Sequence, residues 1–283
     1  GFVSPTLAAR KLASLDHLTD GRLAVHIISG GSDSEQRRDG DFLNKAERYA
    51  RTDEFLHVLN QSLTSAQPYD HQGDFYQAEQ AFSAIKPLQS KLPIYFGGSS
   101  PEAIEVAARH ADVFALWGEP LQGAAETVQT VRAAAAKRGR DIKFNISFRP
   151  IIGKTEKEAW ERAEHIYQTA QKQLVESGYT FGLPKPQSVG AQRLLAAANA
   201  SDRHDKVLWT GVAKLVSGGY NSTALVGTAD QVSDALLDYY NLGIDSVLIR
   251  GFDPLNDAKE YGRELLPLTR EKVAALTRVK RSA

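Results

Sequence analysis

Hydrophobic positions along this chain follow two alternating rhythms. Short apolar runs of strand length give way to longer stretches in which apolar residues recur at three- and four-residue spacing. Ser4 and Pro5 form an N-cap and first-turn pair, and Leu7, Leu12 and Leu15 continue at helical spacing. "DGRLAVHIISGG" reads as turn, buried strand and glycine stop. A long helix is predicted over residues 46–63, and "FYQAEQAF" is a short excursion before a strand at 93–96. A helix from residue 101 to 110 leads to the strand "DVFALWG". The helix predicted over 121–138 stops at Gly139, and the strand "IKFNISFRPII" follows. Thr155 and Glu158 have the spacing of a capping box at the head of the next helix. Residues 177–205 are rich in Gly, Pro, Ser and Asn and show weak periodicity. Thr228 caps "TADQVSDALLDYYNLGI", which runs into the strand "DSVLIRG" and closing helices.

Strands alternating with helices predict an α/β fold with a parallel sheet. Either a doubly wound sheet or a (β/α)8 TIM barrel would satisfy that order. The barrel is favoured because each strand ends in its own polar or glycine-rich loop: "SGGSD", "GGSS", "WGEP", "RPIIG" and "RGFD". About five buried strands are visible where a barrel needs eight, so about three are expected ahead of Gly1. The chain then reads as one partial barrel domain over residues 1–283.

Composition narrows the chemistry. Of 283 residues, 42% are hydrophobic, enough for a large core, and 34 basic residues balance 34 acidic ones. No basic stripe points to nucleic acid, and no apolar run has the length of a bilayer span. There is no cysteine, hence no disulfide, thiolate metal site or cysteine nucleophile within these residues. "GKT" at Gly153 lacks a glycine five residues earlier, where Phe148 stands, so it is not a P-loop. Ser99 is not in a Gly-x-Ser-x-Gly elbow, and no His-Glu-x-x-His occurs.

Several positions carry candidate chemistry, each beside a plainer reading. Gly97, Gly98, Ser99 and Ser100 end a strand just before a helix; exposed N–H groups and two hydroxyls there suit a phosphate, and equally suit a tight turn with an N-cap. His26 and Ser29 stand near the end of a strand, as catalytic or merely structural groups. Tyr49 and Arg51 lie on a helix that could also be an ordinary amphipathic one. Trp117 could wall a planar ligand or fill the core. Arg149 lies in an apolar strand, where it either pairs with a carboxylate or meets an anionic ligand. Pro150 cannot donate to the ladder, so the strand is expected to loosen and end there, at the mouth of the barrel.

The runs "HIISGGSDSEQRRDGDFLNKAERYARTDEFL", "YFGGSS", "LWGEP", "LWTGVAKL", "NSTALVGT" and "LGIDSVLIRGF" together resemble the bacterial-luciferase-like flavin monooxygenases, with alkanesulfonate monooxygenases the closest branch. The resemblance runs through nearly the whole chain. It implies a TIM barrel, reduced FMN (FMNH2) delivered by a separate NAD(P)H-dependent flavin reductase, and O2 as co-substrate. It assigns Ser99, Ser100 and Tyr49, with Gly98, to the flavin phosphate, and His26 and Ser29 to the flavin ring. Trp117 and Trp209 match pocket tryptophans, and residues 168–209 match an insertion, with a mobile lid at 177–205.

The sulfonate positions of the family depart more. The Arg-x-His pair of those enzymes is Ser147 and Arg149 here, their loop arginine falls nearest Ser217, a tyrosine becomes Phe252, and a histidine becomes Lys45. The resemblance therefore implies an FMNH2-dependent monooxygenase acting on a small organosulfur compound, sulfonate or sulfone. Arg149 and His26 are its catalytic candidates, and Ser147, Trp209 and Phe252 its substrate contacts. A cytoplasmic homo-oligomer, dimer or tetramer, is expected. Two alternatives stand beside it: a deazaflavin F420-dependent oxidoreductase of the same superfamily, and a flavin-binding protein without turnover.

Overall fold

A computed structural model describes residues 3–178 and 186–282. The chain divides into two compact units, residues 1–114 with 131–142, and residues 115–130 with 143–283.

The first unit opens with helix α1 (Pro5–Leu18), whose N-cap Ser4 accepts from the Leu7 N–H at 3.3 Å. Strand β1 (Val25–Ile27), helices α2 (Asp33–Arg38) and α3 (Lys45–Thr64), hairpin strands β2 (Tyr69–Gln72) and β3 (Gln77–Ala81), strand β4 (Ile94–Gly97) and helix α4 (Pro101–His110) follow. Asn44 and Glu47 close a reciprocal capping box at the head of α3. The hairpin occupies the stretch read from sequence as an excursion. It is pinned by Glu54 of α3, which accepts from the Phe75 and Tyr76 N–H groups and contacts the His71 ring. β1 and β4 pair in parallel, with Val25 opposite Ile94 and Ile27 opposite Phe96. Ile94 and Phe96 are completely buried.

Strand β5 (Val113–Trp117) and helix α5 (Leu121–Ala136) lead to the second unit. Its elements are β6 (Lys143–Ile152), α6 (Glu156–Glu176), α7 (Val189–Ala200), β7 (Arg203–His204), β8 (Leu208–Trp209), α8 (Gly211–Leu215), β9 (Ala224–Gly227), α9 (Ala229–Asn241), β10 (Ser246–Ile249), α10 (Pro254–Glu260), a π-helical turn (Tyr261–Leu265) and α11 (Leu266–Ser282). β6 is the spine: it pairs in parallel with β10 from Asn145 to Phe148 and with β9 from Arg149 to Ile152. β8 joins β9 antiparallel, and β7 joins β8. The architecture is α/β with mostly parallel strands, as the alternation predicts.

Four local expectations need correction. β1 and β10 are only half-buried, not buried, because among the described residues each pairs along one edge alone. Thr155 does accept from the Glu158 N–H, but Glu158 reaches back to the Lys154 N–H instead of closing the box. The strand does not end at Pro150. Odd-numbered N–H groups of β6 face β9, as Arg149 to Thr223 O shows, while Phe148 O accepts from Arg250 N on the β10 side. The N–H that proline lacks would point past the end of β10, so no ladder bond is lost. Finally, residues 177–205 are not irregular throughout. α7 buries Ala191, Leu194 and Ala198. Arg193 fixes it by donating to Glu119 at 2.6–3.0 Å and to the Gly123 carbonyl at 3.1 Å. The part of the expected lid at 179–185 lies outside the described residues.

Candidate active site

In the first unit the flavin candidates converge at the ends of β1 and β4. Gly98 has φ 143°, and a Cβ there would stand 2.7 Å from the Ala103 side chain and 3.0 Å from the Tyr49 hydroxyl. Only glycine allows the strand end, the first turn of α4 and the tyrosine to meet so closely. Ser100, buried, is the N-cap of α4 and accepts from the Ala103 N–H at 3.3 Å. The Tyr49 hydroxyl is held neutral by burial, which raises its pKa against the hydrogen bond with Ser100. Glu102 is exposed, and its carboxyl is held below the usual range by hydrogen bonds from the Ser100 hydroxyl and its own N–H. Ser99, half-buried beside them, is the hydroxyl not committed to the cap.

One helical turn along α3, Thr52 lines a cavity of about 350 Å³ with His26, Ser29, Phe55 and Tyr76. Aromatic walls with a few polar groups suit a planar heteroaromatic ligand. The Ser29 hydroxyl oxygen is buried and has no hydrogen-bond partner among the described residues, which leaves a donor available at the cavity wall. Burial lowers the His26 pKa, so its imidazole is neutral at pH 7. Arg51 also lines this cavity; its two terminal nitrogens each give one hydrogen to Asp41, which fixes the guanidinium in place. These residues fit a flavin mononucleotide: a terminal-phosphate seat and an aromatic cavity with an unmatched donor.

In the second unit the substrate candidates divide, and the flavin candidate Trp117 stands among them. Arg149 is half-buried and has no carboxylate partner among the described residues; Nε donates to the Asn221 carbonyl at 3.2 Å and Nη1 to the Gly251 carbonyl at 3.1 Å. Its guanidinium lies 5.1 Å from the centroid of the Phe252 ring. Burial and then the charge of Arg250 lower the Arg149 pKa, as expected of a cation without a counter-ion. Ser147 is buried and bonded by the Asn221 side-chain amide. Trp117 is half-buried at the end of β5. Trp209 instead belongs to the hydrophobic core, with Ile151, Ala163 and Val226, in edge contact with Trp160 at 6.2 Å. Phe252 packs against the same cluster.

Asn221 is the residue that sequence reading missed. It ties Gly118, Ser147 and Arg149 together from a left-handed backbone at φ 48°. The turn signature "SGGYN" before a buried strand was the available signal. Among the described residues no three His, Cys, Asp or Glu side chains gather as metal ligands.

A family model for luciferase-like monooxygenases matches residues 1–246. Solved structures with the same fold include an EDTA monooxygenase from Chelativorans sp. BNC1, 20% identical over 96% of this chain and 71% of that one, at a TM-score of 0.74. A long-chain alkane monooxygenase is 21% identical over 96% of this chain and 67% of its own, with a TM-score of 0.74. An F420-dependent secondary alcohol dehydrogenase, solved with an F420-acetone adduct, is 17% identical over 95% and 76%, with a TM-score of 0.66. At these identities the likeness is one of fold.

Proposed function

The chain belongs to the luciferase-like monooxygenase family, and from that premise we propose that it is an FMNH2-dependent monooxygenase. A separate NAD(P)H-dependent reductase would supply the flavin, and the substrate would be a small organosulfur compound, sulfonate or sulfone. The observation that carries the flavin half is the meeting of Tyr49, Gly98 and Ser100 at the start of α4, which suits a terminal phosphate. The substrate half rests on Arg149, a half-buried cation whose hydrogen-bond partners among the described residues are carbonyls.

Bound reduced FMN supplies the electrons that activate O2. The rest is the work of this chain's side chains. Tyr49 and Ser99 donate to the phosphate, aided by the positive end of α4. Ser29 would donate to the ring system from a position where no group among the described residues answers it. His26, neutral, can accept a proton near that ring. Arg149 orients the oxyanion and stabilises negative charge that grows on it, through donors already fixed in place. A homo-oligomer, dimer or tetramer, is part of the same reading.

The test is oxygen-dependent, NADH-coupled turnover with a flavin reductase, screening sulfonates and sulfones for release of sulfite or sulfinate. Turnover with F420 in the absence of oxygen would replace this reading by that of the dehydrogenase-like relatives. Tight FMN binding with no product from any substrate would leave a flavin-binding protein.

A further inference from the structure

The loop leading into β9 has Ser217, Gly218, Tyr220 and Asn221 all at positive φ, from 48° to 75°. Each non-glycine residue held so is strained, and persists only where surrounding contacts demand it. Here the demand is visible. Two successive carbonyls of the loop each meet a guanidinium: Asn221 O accepts from Arg149 Nε at 3.2 Å, and Tyr220 O accepts from Arg250 Nη2 at 2.9 Å.

The two arginines are neighbours by register. β6 and β10 pair Ser147 with Leu248 and Phe148 with Ile249, so the next step sets Arg149 beside Arg250 on the same face. Neither has a carboxylate within ion-pair distance among the described residues; their partners are the carbonyls of Tyr220, Asn221 and Gly251. Two adjacent cations without a counter-ion repel one another, and carbonyl bonds offset that only in part. Arg149 gives Nε and one Nη1 hydrogen to carbonyls and keeps the outer Nη1 and Nη2 hydrogens for a ligand. Arg250, exposed, gives only Nη2 and keeps Nε and Nη1 for a ligand.

We propose that Arg149 and Arg250 form a single clamp, oriented by the Tyr220–Asn221 carbonyls, for the oxyanion head of the substrate. This deepens the reading above and rests on it: the substrate class is a sulfonate or sulfinate, an anion with at least two terminal oxygens. Arg250 is then a specificity-determining residue, absent from the candidates found in sequence. One guanidinium fixes the anion from the β6 side and the other from the β10 side, so a neutral sulfone finds no equivalent hold.

The experiment uses the full chain without flavin, at constant ionic strength, with 1-hexanesulfonate and 1-hexanol as calorimetric probes. The wild type is expected to bind the sulfonate and not the alcohol. Arg250→Gln and Arg149→Gln should each weaken sulfonate binding at least tenfold, and Arg250→Lys should lie between. Lys157→Gln, on an exposed helix face of the same unit, should leave it unchanged. Unchanged sulfonate affinity in Arg250→Gln overturns the clamp. If Arg250→Gln is misfolded, Arg250→Lys decides: wild-type affinity there overturns it too, because a point charge cannot replace the fork. Flavin turnover is scored separately. Oxygen-dependent activity on neutral substrates alone sinks the clamp and leaves the monooxygenase standing. Sulfonate binding that depends on Arg250, with no flavin turnover, supports the clamp and removes the monooxygenase.

Discussion

Tyr49 and Ser100 stand together at the start of α4, yet their substitutions are expected to differ. Tyr49→Phe removes a donor from the phosphate seat and leaves the cap of α4 intact. Losing a bond to a charged phosphate costs roughly 1.5–3 kcal/mol, so FMN affinity should fall by about ten- to a hundredfold with little change in melting temperature. Ser99→Ala should behave alike, whereas Ser100→Ala also loses the N-cap, about 1 kcal/mol of stability. Fluorescence titration of FMN beside thermal melts separates these; unaltered affinity in both Tyr49→Phe and Ser99→Ala would move the phosphate elsewhere. Arg149→Lys retains charge and loses the planar fork. It should impair kcat/KM on the oxyanion substrate far more than flavin affinity or folding, and Arg149→Ala should be worse. Wild-type kcat/KM in Arg149→Lys would make Arg149 a structural residue.

At the scale of elements, α7 shows what a composition-based reading misses. Its stretch is weakly periodic, but one arginine joins it to a Glu119 carboxylate with 8% side-chain exposure. Because Arg193 is itself partly exposed, the pair lies between a surface bridge and a buried one, and Arg193→Met should cost roughly 1–3 kcal/mol. The same change should open α7 to limited proteolysis before the rest of the second unit. Cleavage at the wild-type rate would mean that packing of Ala191, Leu194 and Ala198 holds the helix without the arginine. α3 illustrates the opposite. Its reciprocal capping box keeps it in register whatever α2 and the hairpin do, and that register places Tyr49 and Thr52 on one face.

For the molecule as a whole, acid should act in two steps. Burial holds the His110 pKa below its ordinary 6.5, against the pull of Asp53. The unfolded chain therefore takes up that proton first, and stability should begin to decline as pH falls below about 6.5, by at most ~1.4 kcal/mol per pH unit for the one group. Asp41, bonded by Arg51, and Glu54, whose three donors outweigh the cost of burial, have folded pKa values below 3.8 and 4.5. Such depressed carboxylates stabilise the fold above those unfolded values and lose the contribution as pH falls through the folded ones. Urea midpoints at about pH 8, about pH 5.5 and about pH 3.5 should show a shallow loss and then a steep one. His110→Gln should shrink the first step and leave the second unchanged; what remains of the first belongs to His26, whose pKa burial also lowers. A single steep transition in the wild type would remove His110 from the account.

The sequence by itself determined what depends on near neighbours. Ser4, Ser100, Thr155 and Thr228 cap their helices because a cap joins residues three apart, and Gly139 stops a helix for an equally local reason. Strand and helix order followed from periodicity, and the proposed phosphate seat could be put forward because Gly98, Ser99 and Ser100 are consecutive. Only the tertiary structure decided the rest. Whether Arg149 meets a carboxylate or a carbonyl depends on Asn221 and Gly251, 72 and 102 residues away. Trp209 entered the core through Trp160 and Val226, and Arg250 came to stand beside Arg149 through strand register. Periodicity reports which face of an element is apolar and carries no information about which distant element covers it. Contacts between remote polar groups are therefore set by packing, and the chemistry of this chain's arginines was settled there.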